Sequence, residues 1–384
     1  VLLFPPPSFP PTSRLQTTLP PGTPASRELA MQIIKVGNFE TNLQKKLGDG
    51  GFGAVFRAKD LSENPPVECA AKLVKLRSQQ DVEAMEHEVD VLKAVAGHPS
   101  VISLRGYIEM QGSTVSKKDA WLFMELATGG ELFDRLIDSG NLSEKATWPF
   151  AKGLVDGVLH CHSKGVIHRD VKLENIMLCA EDPCAVKLID FGLAAITPVG
   201  PNGVPERELL YDAVGTKSYR APEIAGASKH GYYGPPVDVW SMGIVIFSLV
   251  SGFFPLEEAK MSDWRYAKLA QDQSRGIGPC DSIYATYKRA CPFTEAFRDL
   301  VDKMLTINPD KRLSLTELAR HPWFDQAMRP KEPSFCYEED AYNDPVVYRS
   351  ANAFDDEEGG TFEPPMEAMR IARQPAMRGD VSDL

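Results

Sequence analysis

The segment His168-Arg169-Asp170-Val171-Lys172-Leu173-Glu174-Asn175, followed after a short apolar run by Asp190-Phe191-Gly192, constrains this chain more than any other feature. The flanking stretches Gly165-Val166-Ile167, Ile176-Met177-Leu178 and Val186-Lys187-Leu188-Ile189 read as short β segments. The polar residues therefore fall on strand-flanking loops, where a rigid frame can aim several side chains at one point. They comprise a candidate base at Asp170, a phosphate-directed Lys172, and two oxygen ligands for Mg²⁺ at Asn175 and Asp190. Phosphoryl transfer uses that set. A charge-rich structural turn is the competing reading, and it leaves the matched Asp190-Phe191-Gly192 unexplained.

Two upstream segments bear on the same chemistry. Gly48-Asp49-Gly50-Gly51-Phe52-Gly53-Ala54-Val55 fits G-x-G-x-x-G-x-V between strand-like runs. Glycines there let backbone N–H groups approach phosphate oxygens. A dinucleotide site shares the glycine core, but Ala54-Val55-Phe56-Arg57-Ala58 continues as a strand and not a helix, which disfavours it. Downstream, Cys69-Ala70-Ala71-Lys72-Leu73-Val74 is an apolar strand carrying one lysine, which is costly to bury without an anionic partner. Met85, Val89, Leu92 and Ala96 recur at helical spacing over a stretch expected to be helical from Asp81 to Val95, and Glu88 lies on or beside that inward face. Glu88 is the expected partner of Lys72, with Glu83 and Glu86 facing solvent.

A further segment runs Gly215-Thr216-Lys217-Ser218-Tyr219-Arg220-Ala221-Pro222-Glu223, then Asp238-Val239-Trp240-Ser241-Met242-Gly243 opening an apolar helix. With these residues in hand, the chain from about Phe39 to Phe324 resembles a eukaryotic protein kinase. The resemblance implies an α+β bilobal fold: a small, mainly antiparallel β N-lobe with one key helix, and a larger, mainly helical C-lobe, with ATP in the cleft between them. Gly48, Gly50 and Gly53 would cover the ATP phosphates, Lys72 would bind the α/β phosphates, and Glu88 would hold Lys72. Asp170 would accept the substrate hydroxyl proton, Lys172 would neutralise charge on the transferred group, and Asn175 and Asp190 would hold Mg²⁺. Val55, Ala70 and Met177 would sandwich adenine, Met124 would be the gatekeeper, and Glu125 and Ala127 would offer backbone groups to the base. Leu92, Leu104, His168 and Phe191 would form the regulatory spine on Asp238, making His168 a packed histidine.

Lys172 and Thr216, with Tyr219-Arg220-Ala221-Pro222-Glu223, resemble the serine/threonine branch. Thr128-Gly129-Gly130-Glu131-Leu132-Phe133, Asn308-Pro309-Asp310-Lys311-Arg312-Leu313-Ser314 and His321-Pro322-Trp323-Phe324 resemble the calcium/calmodulin-dependent kinase group. Arg312 would pair with Glu223. Glu131, which also borders the nucleotide positions, and Glu174 would bind an arginine upstream of the phosphoacceptor, beside Thr216. Ser248 stands where some relatives place another acid. Asp212 falls where many relatives carry an activating phosphothreonine against Arg169, so a carboxylate standing in for phosphate is one reading and a solvated loop aspartate the other.

The chain has 384 residues, a hydrophobic content of 43% and a formal net charge of −11. No apolar run approaches a bilayer-spanning helix. Seven scattered cysteines without a C-x-x-C pair give an expectation of reduced thiols and a cytoplasmic or nuclear location. His160-Cys161-His162 reads as a capped helix end and not a metal site. The domain boundaries expected are a Pro/Ser/Thr-rich disordered segment over 1–35, a kinase domain over 36–325 divided near 126, and an acidic, mostly disordered tail over 326–384. From Lys331 to Leu384 there are 13 Asp/Glu and 5 Lys/Arg, which disfavours nucleic-acid binding. The methionine-rich stretch Met366–Arg378 is the sole basis for calmodulin as a partner, and Pro375 interrupts it. Protein Ser/Thr hydroxyls are the expected acceptors. A catalytically weak kinase-fold scaffold is the alternative, and no missing catalytic residue favours it.

Overall fold

Strand β4, Val67–Leu76, buries Cys69, Ala70, Ala71 and Lys72 in succession, as a strand covered on both faces must. It lies inside a six-stranded sheet with β1 (Ile33–Val36), β2 (Phe39–Gly50), β3 (Gly53–Asp60), β5 (Leu104–Thr114) and β6 (Lys117–Glu125), in the order β1-β2-β3-β4-β6-β5 with every pair antiparallel. This is a computed structural model describing residues 33–50, 53–114 and 117–325. The chain divides into two compact units, the first holding the sheet and the second residues 90–102 and the chain from Ala127. Most of the segment over 1–35 and the tail over 326–384, with its Met366–Arg378 stretch, lie outside the described residues.

One sheet face of the first unit is a core of Val36, Phe39, Phe56, Ala58, Cys69, Ala71, Trp121 and Phe123, with Phe39 and Phe123 stacked at 3.8 Å between centroids. Helix α1 spans Gln79–Ala94. It begins two residues before the expected Asp81 because Ser78 and Asp81 cap its start reciprocally. The Ser78 N–H donates to Asp81 Oδ2 at 2.8 Å and the Asp81 N–H donates to Ser78 Oγ at 3.1 Å.

The second unit is mainly helical: α2 (Leu132–Ser139), α3 (Glu144–Ser163), α4 (Pro235–Ser251), α5 (Trp264–Ser274), α6 (Pro279–Thr286) and α7 (Glu295–Met304). Residues Val237 to Ser251 of α4 are buried without a break, so α4 is the central helix around which the others pack. Edge-to-face contacts of Phe247 with Phe253 and Phe293, and of Tyr284 with Phe293, link it to α6 and the approach to α7. Two-stranded ribbons β7 (Val166–Ile167) with β10 (Ala195–Ile196), β8 (Ile176–Leu178) with β9 (Val186–Leu188), and β11 (Leu209–Leu210) with β12 (Tyr232–Tyr233) frame the polar loops.

Among the described residues no helix is long and apolar enough to cross a membrane. The expectation of reduced thiols fails at Cys184, which is disulfide-bonded and sits in the turn between β8 and β9. Cys69, Cys161, Cys280 and Cys291 carry free thiols.

Candidate active site

Asp170 sits between β7 and β8 in a buried polar cluster of its own unit. Its Oδ1 accepts from the Thr216 N–H and the Thr216 hydroxyl, both at 2.8 Å, while Lys172 Nζ lies 2.8 Å from its Oδ2. Lys172 also donates to Thr216 Oγ1 at 3.0 Å. The Asn175 amide N–H₂ donates to the Asp170 carbonyl at 2.9 Å and to Oδ2 at 3.3 Å. That orientation turns the Asn175 amide oxygen away from Asp170.

Keeping this loop in place requires unusual backbone. Arg169 and Asp190 take positive φ values of 63° and 59°. For residues with a Cβ this costs on the order of 1–2 kcal/mol each. Asp238, fully buried on α4, offsets part of that cost by accepting from the His168 N–H at 2.9 Å, the Arg169 N–H at 2.8 Å and the His162 ring at 2.8 Å. Burial alone would raise the Asp238 carboxyl. The hydrogen bond from His162, the two imidazoles and the backbone N–H outweigh it and hold the carboxyl below the usual range. His168 packs edge-on against Phe191 at 4.8 Å and its Nε2 meets the Ile189 carbonyl at 3.0 Å, so it is committed to structure. Gly215, at φ +100°, passes so close to the Arg169 carbonyl that a Cβ would lie 2.6 Å from it. No other residue fits there without displacing the loop.

In the first unit, Lys72 Nζ meets Glu88 Oε1 at 2.7 Å and Oε2 at 3.1 Å, a buried two-point pair between β4 and α1. Strand register places Val55 opposite Lys72 and Met124 opposite Ala70. Directly opposed residues share a face, and so do alternate residues of one strand. Val55, Ala70, Lys72 and Met124 therefore line the face away from the Phe39 and Phe123 core. Gly48, Asp49 and Gly50 pair with Val55, Ala54 and Gly53, which makes the glycine-rich segment a β2–β3 hairpin, and Gly51 and Phe52 lie outside the described residues. A Cβ on Gly53 would come within 1.8 Å of the Leu73 carbonyl. The Glu125 N–H is held by the Ser103 carbonyl at 2.8 Å.

Returning to the second unit, Glu131 and Met177 form a β-bridge, and Glu131 stands at the N-cap of α2 without capping it through its side chain. Ala127 is half-buried ahead of them. Glu174 accepts from the Tyr219 hydroxyl at 3.1 Å. Burial pushes its carboxyl up to about 7, against the opposing pull of Lys172 and Tyr219. Arg312 is fully enclosed and meets Glu223 through two nitrogens at 2.7 and 3.0 Å. Its remaining donors go to the Pro236, Thr306 and Ile307 carbonyls. Arg169 Nη1 reaches Asp212 Oδ2 at 3.3 Å, and the Tyr232 hydroxyl donates to the Asp212 carbonyl at 3.1 Å.

Three positioning residues were not singled out for these tasks by sequence: Tyr219 on Glu174, His162 on Asp238, and Tyr232 on Asp212. Each acts on a partner far along the chain, so no local spacing signals it.

The family described as protein kinase domain matches residues 41–324. Among curated proteins, the chain is 32% identical to calcium-dependent protein kinase 21 of Arabidopsis thaliana over 76% of this chain and 50% of that one. It is 32% identical to CBL-interacting serine/threonine-protein kinase 9 of Arabidopsis thaliana over 82% of this chain and 62% of that one. It is 35% identical to calcium-dependent protein kinase 2 of Oryza sativa subsp. japonica over 73% of this chain and 50% of that one. The matched region thus spans between 50% and 62% of the length of these relatives.

Proposed function

The chain belongs to the protein kinase family, and from that premise we propose that it is a serine/threonine kinase transferring the γ-phosphate of ATP to protein hydroxyls, with a preference for an upstream arginine. The observation that carries this reading is the buried cluster in which Asp170 is held by Thr216, Lys172 and Asn175. The acceptor oxygen forms the new bond to phosphorus as the bond to the β-phosphate oxygen breaks, and its proton passes to Asp170. Lys172, already beside Asp170, balances negative charge on the transferred group. In the first unit the Lys72–Glu88 pair would present an ammonium to the nucleotide phosphates, the glycine hairpin would lend backbone N–H groups, and Val55, Ala70 and Met124 with the Glu125 backbone would meet the base. Asn175 and Asp190 fit Mg²⁺, since both offer hard oxygen donors and the Asn175 nitrogen is tied to Asp170. Bound there, Mg²⁺ would supply charge neutralisation on the phosphate oxygens.

The test is magnesium-dependent transfer from labelled ATP to a positional-scanning Ser/Thr peptide library, with and without calcium and calmodulin. Selective labelling of peptides with an upstream arginine supports the proposal. Labelling blind to arginine would remove Glu131 and Glu174 from it, and a requirement for calmodulin would bring the 326–384 segment into regulation.

Glu174 makes recognition pH-dependent. An arginine needs the ionised carboxylate, and the free carboxyl titrates at about 7. KM for an arginine-bearing peptide is therefore expected to rise as pH falls through about 7, by up to ~10-fold per unit. KM for the same peptide with arginine replaced by alanine should stay flat. Parallel curves for the two peptides would rule out Glu174 as the arginine ligand.

Asp212 supplies a standing anion for Arg169, so activity needs no phosphate at that position. The Asp212 side chain is 70% exposed. Such a pair is worth at most ~1 kcal/mol, so Asp212→Ala is expected to lower kcat/KM by no more than about 5-fold. Unchanged kcat/KM in the unphosphorylated protein would show that the pair does not organise the loop.

A further inference from the structure

One peptide group that faces Asp170 is held from behind by an arginine. The Thr216 N–H donates to Asp170 Oδ1 at 2.8 Å, and the carbonyl of that same peptide, belonging to Gly215, accepts from Arg220 Nη2 at 2.6 Å. Arg220 Nη1 lies 3.7 Å from Glu258 Oε1 on the loop between α4 and α5, and Lys260 Nζ lies 2.9 Å from the same oxygen. The Arg220 and Glu258 side chains are only 15% and 19% exposed. All of these residues belong to the second unit.

On the reading of Asp170 as the base, we propose that Arg220 is a positioning residue for phosphoryl transfer: it holds the Gly215–Thr216 peptide so that the N–H stays aimed at Asp170, and Glu258 holds Arg220 in place.

A trans peptide is planar and stiff, with its C=O and N–H pointing in opposite directions. Fixing the oxygen at one edge therefore fixes the direction of the N–H at the other. The guanidinium is charged, so its bond to the carbonyl is a strong one, and it polarises the peptide toward a better donor at Asp170. Gly215 needs such a restraint more than other residues would. Without a Cβ, and at φ +100°, its backbone has few steric limits of its own.

The geometry of the arginine points to the same task. Arg312, in the same unit, meets Glu223 through two nitrogens at 2.7 and 3.0 Å, whereas Arg220 directs its short bond to a backbone oxygen and keeps its carboxylate at 3.7 Å. Arg220 Nε and Glu258 Oε1 are buried without a hydrogen bond among the described residues, which a pair serving stability alone would avoid. Both ends of the arrangement are anchored. Ser241 on α4 donates its hydroxyl to the Tyr219 carbonyl at 2.8 Å, fixing the chain just ahead of Arg220. Asp263, at the N-cap of α5, accepts from the Glu257 and Glu258 N–H groups at 2.8 and 3.1 Å, fixing the loop that carries the carboxylate. The start of α5 is thereby connected to Asp170 through one carboxylate, one guanidinium and one peptide.

The experiment is a double-mutant cycle read by steady-state peptide phosphorylation, beside amide spectra of the full chain labelled with ¹⁵N-threonine. Arg220→Ala should lower kcat by about 10–100-fold and leave KM for ATP unchanged. Arg220→Lys keeps a cationic donor and should recover part of that loss. In an Asp170→Asn background, Arg220→Ala should cost no more than ~3-fold further, because the N–H it aims no longer meets a base. The Thr216 amide proton should move upfield in Arg220→Ala as its peptide loses the guanidinium. Glu258→Gln, a milder change, should lower kcat by about 2–5-fold and move the same amide in the same direction, which keeps the proposal testable if Arg220→Ala does not fold. Equal losses in the wild-type and Asp170→Asn backgrounds with the Thr216 amide unmoved would make Arg220 a fold-stabilising residue only and overturn the proposal. A kcat within ~2-fold of wild type in Arg220→Ala would overturn it too. If Asp170→Asn were as active as wild type, the base itself would lie elsewhere, and the Thr216 amide would decide alone whether Arg220 holds the peptide.

Discussion

Replacing Asp170 by asparagine is expected to lower kcat by about 10²–10⁴-fold, the usual contribution of a general base. The structure also indicates what the variant does to its neighbours. Asp170 Oδ1 accepts two hydrogen bonds from Thr216, so an asparagine would keep its oxygen there and turn its amide toward Lys172 and Asn175. Lys172 Nζ, now 2.8 Å from Oδ2, and the Asn175 amide at 3.3 Å would then each face a donor in place of an acceptor. A small loss of stability should accompany the large loss of rate. Steady-state phosphorylation of one peptide beside a thermal melt separates the two. A kcat within ~3-fold of wild type, with peptide binding intact, would assign the base elsewhere.

Arg312→Met is the substitution expected to cost most stability, about 3–5 kcal/mol, because it strands a carboxylate. The Arg312 side chain has no exposed surface and that of Glu223 only 12%. All of the arginine's hydrogen-bonding directions are filled, by Glu223 and three backbone carbonyls, and the guanidinium lies over the Trp240 ring at 5.1 Å. Methionine fills part of the volume but leaves five acceptor oxygens without their donors. Denaturation followed by the intrinsic tryptophan emission, to which Trp240 contributes, should show the early loss. In the double variant with Glu223→Gln, part of it should return, since the buried negative charge is gone. Equal losses in the single and double variants would mean that the pair itself contributes little and that the backbone contacts hold the segment.

Much of the candidate site was legible because it depends on local spacing. Helical periodicity puts Glu88 on the inward face of α1, and the cost of burying Lys72 calls for an anion, so their 2.7 Å contact could be reasoned from residues 16 positions apart. The strands around Asp170 were legible from short apolar runs, and β3 after Gly53 from its β-branched and aromatic residues. The start of α1 was misplaced because the Ser78–Asp81 cap lies ahead of the first periodic apolar residue. The turn holding Cys184 reads as a plain hairpin and its bond was not expected, since pairing of sulfurs is a matter of distance and not of spacing.

What the sequence by itself determined is which residues face inward on each element and which chemical groups the loops carry, because a periodicity of two or 3.6 residues is a property of the local backbone. Only the tertiary structure decided how those groups behave. Asp238 stays ionised while fully buried because His162, 76 residues away, and two backbone N–H groups converge on it. Glu174 is lifted to about 7 because its surroundings exclude water faster than Lys172 and Tyr219 can compensate. The Cys280 N–H meets Asp302 because α6 packs against α7. Charge state and reactivity follow from desolvation and from neighbours brought together by packing, and neither quantity is written in the order of residues along a chain.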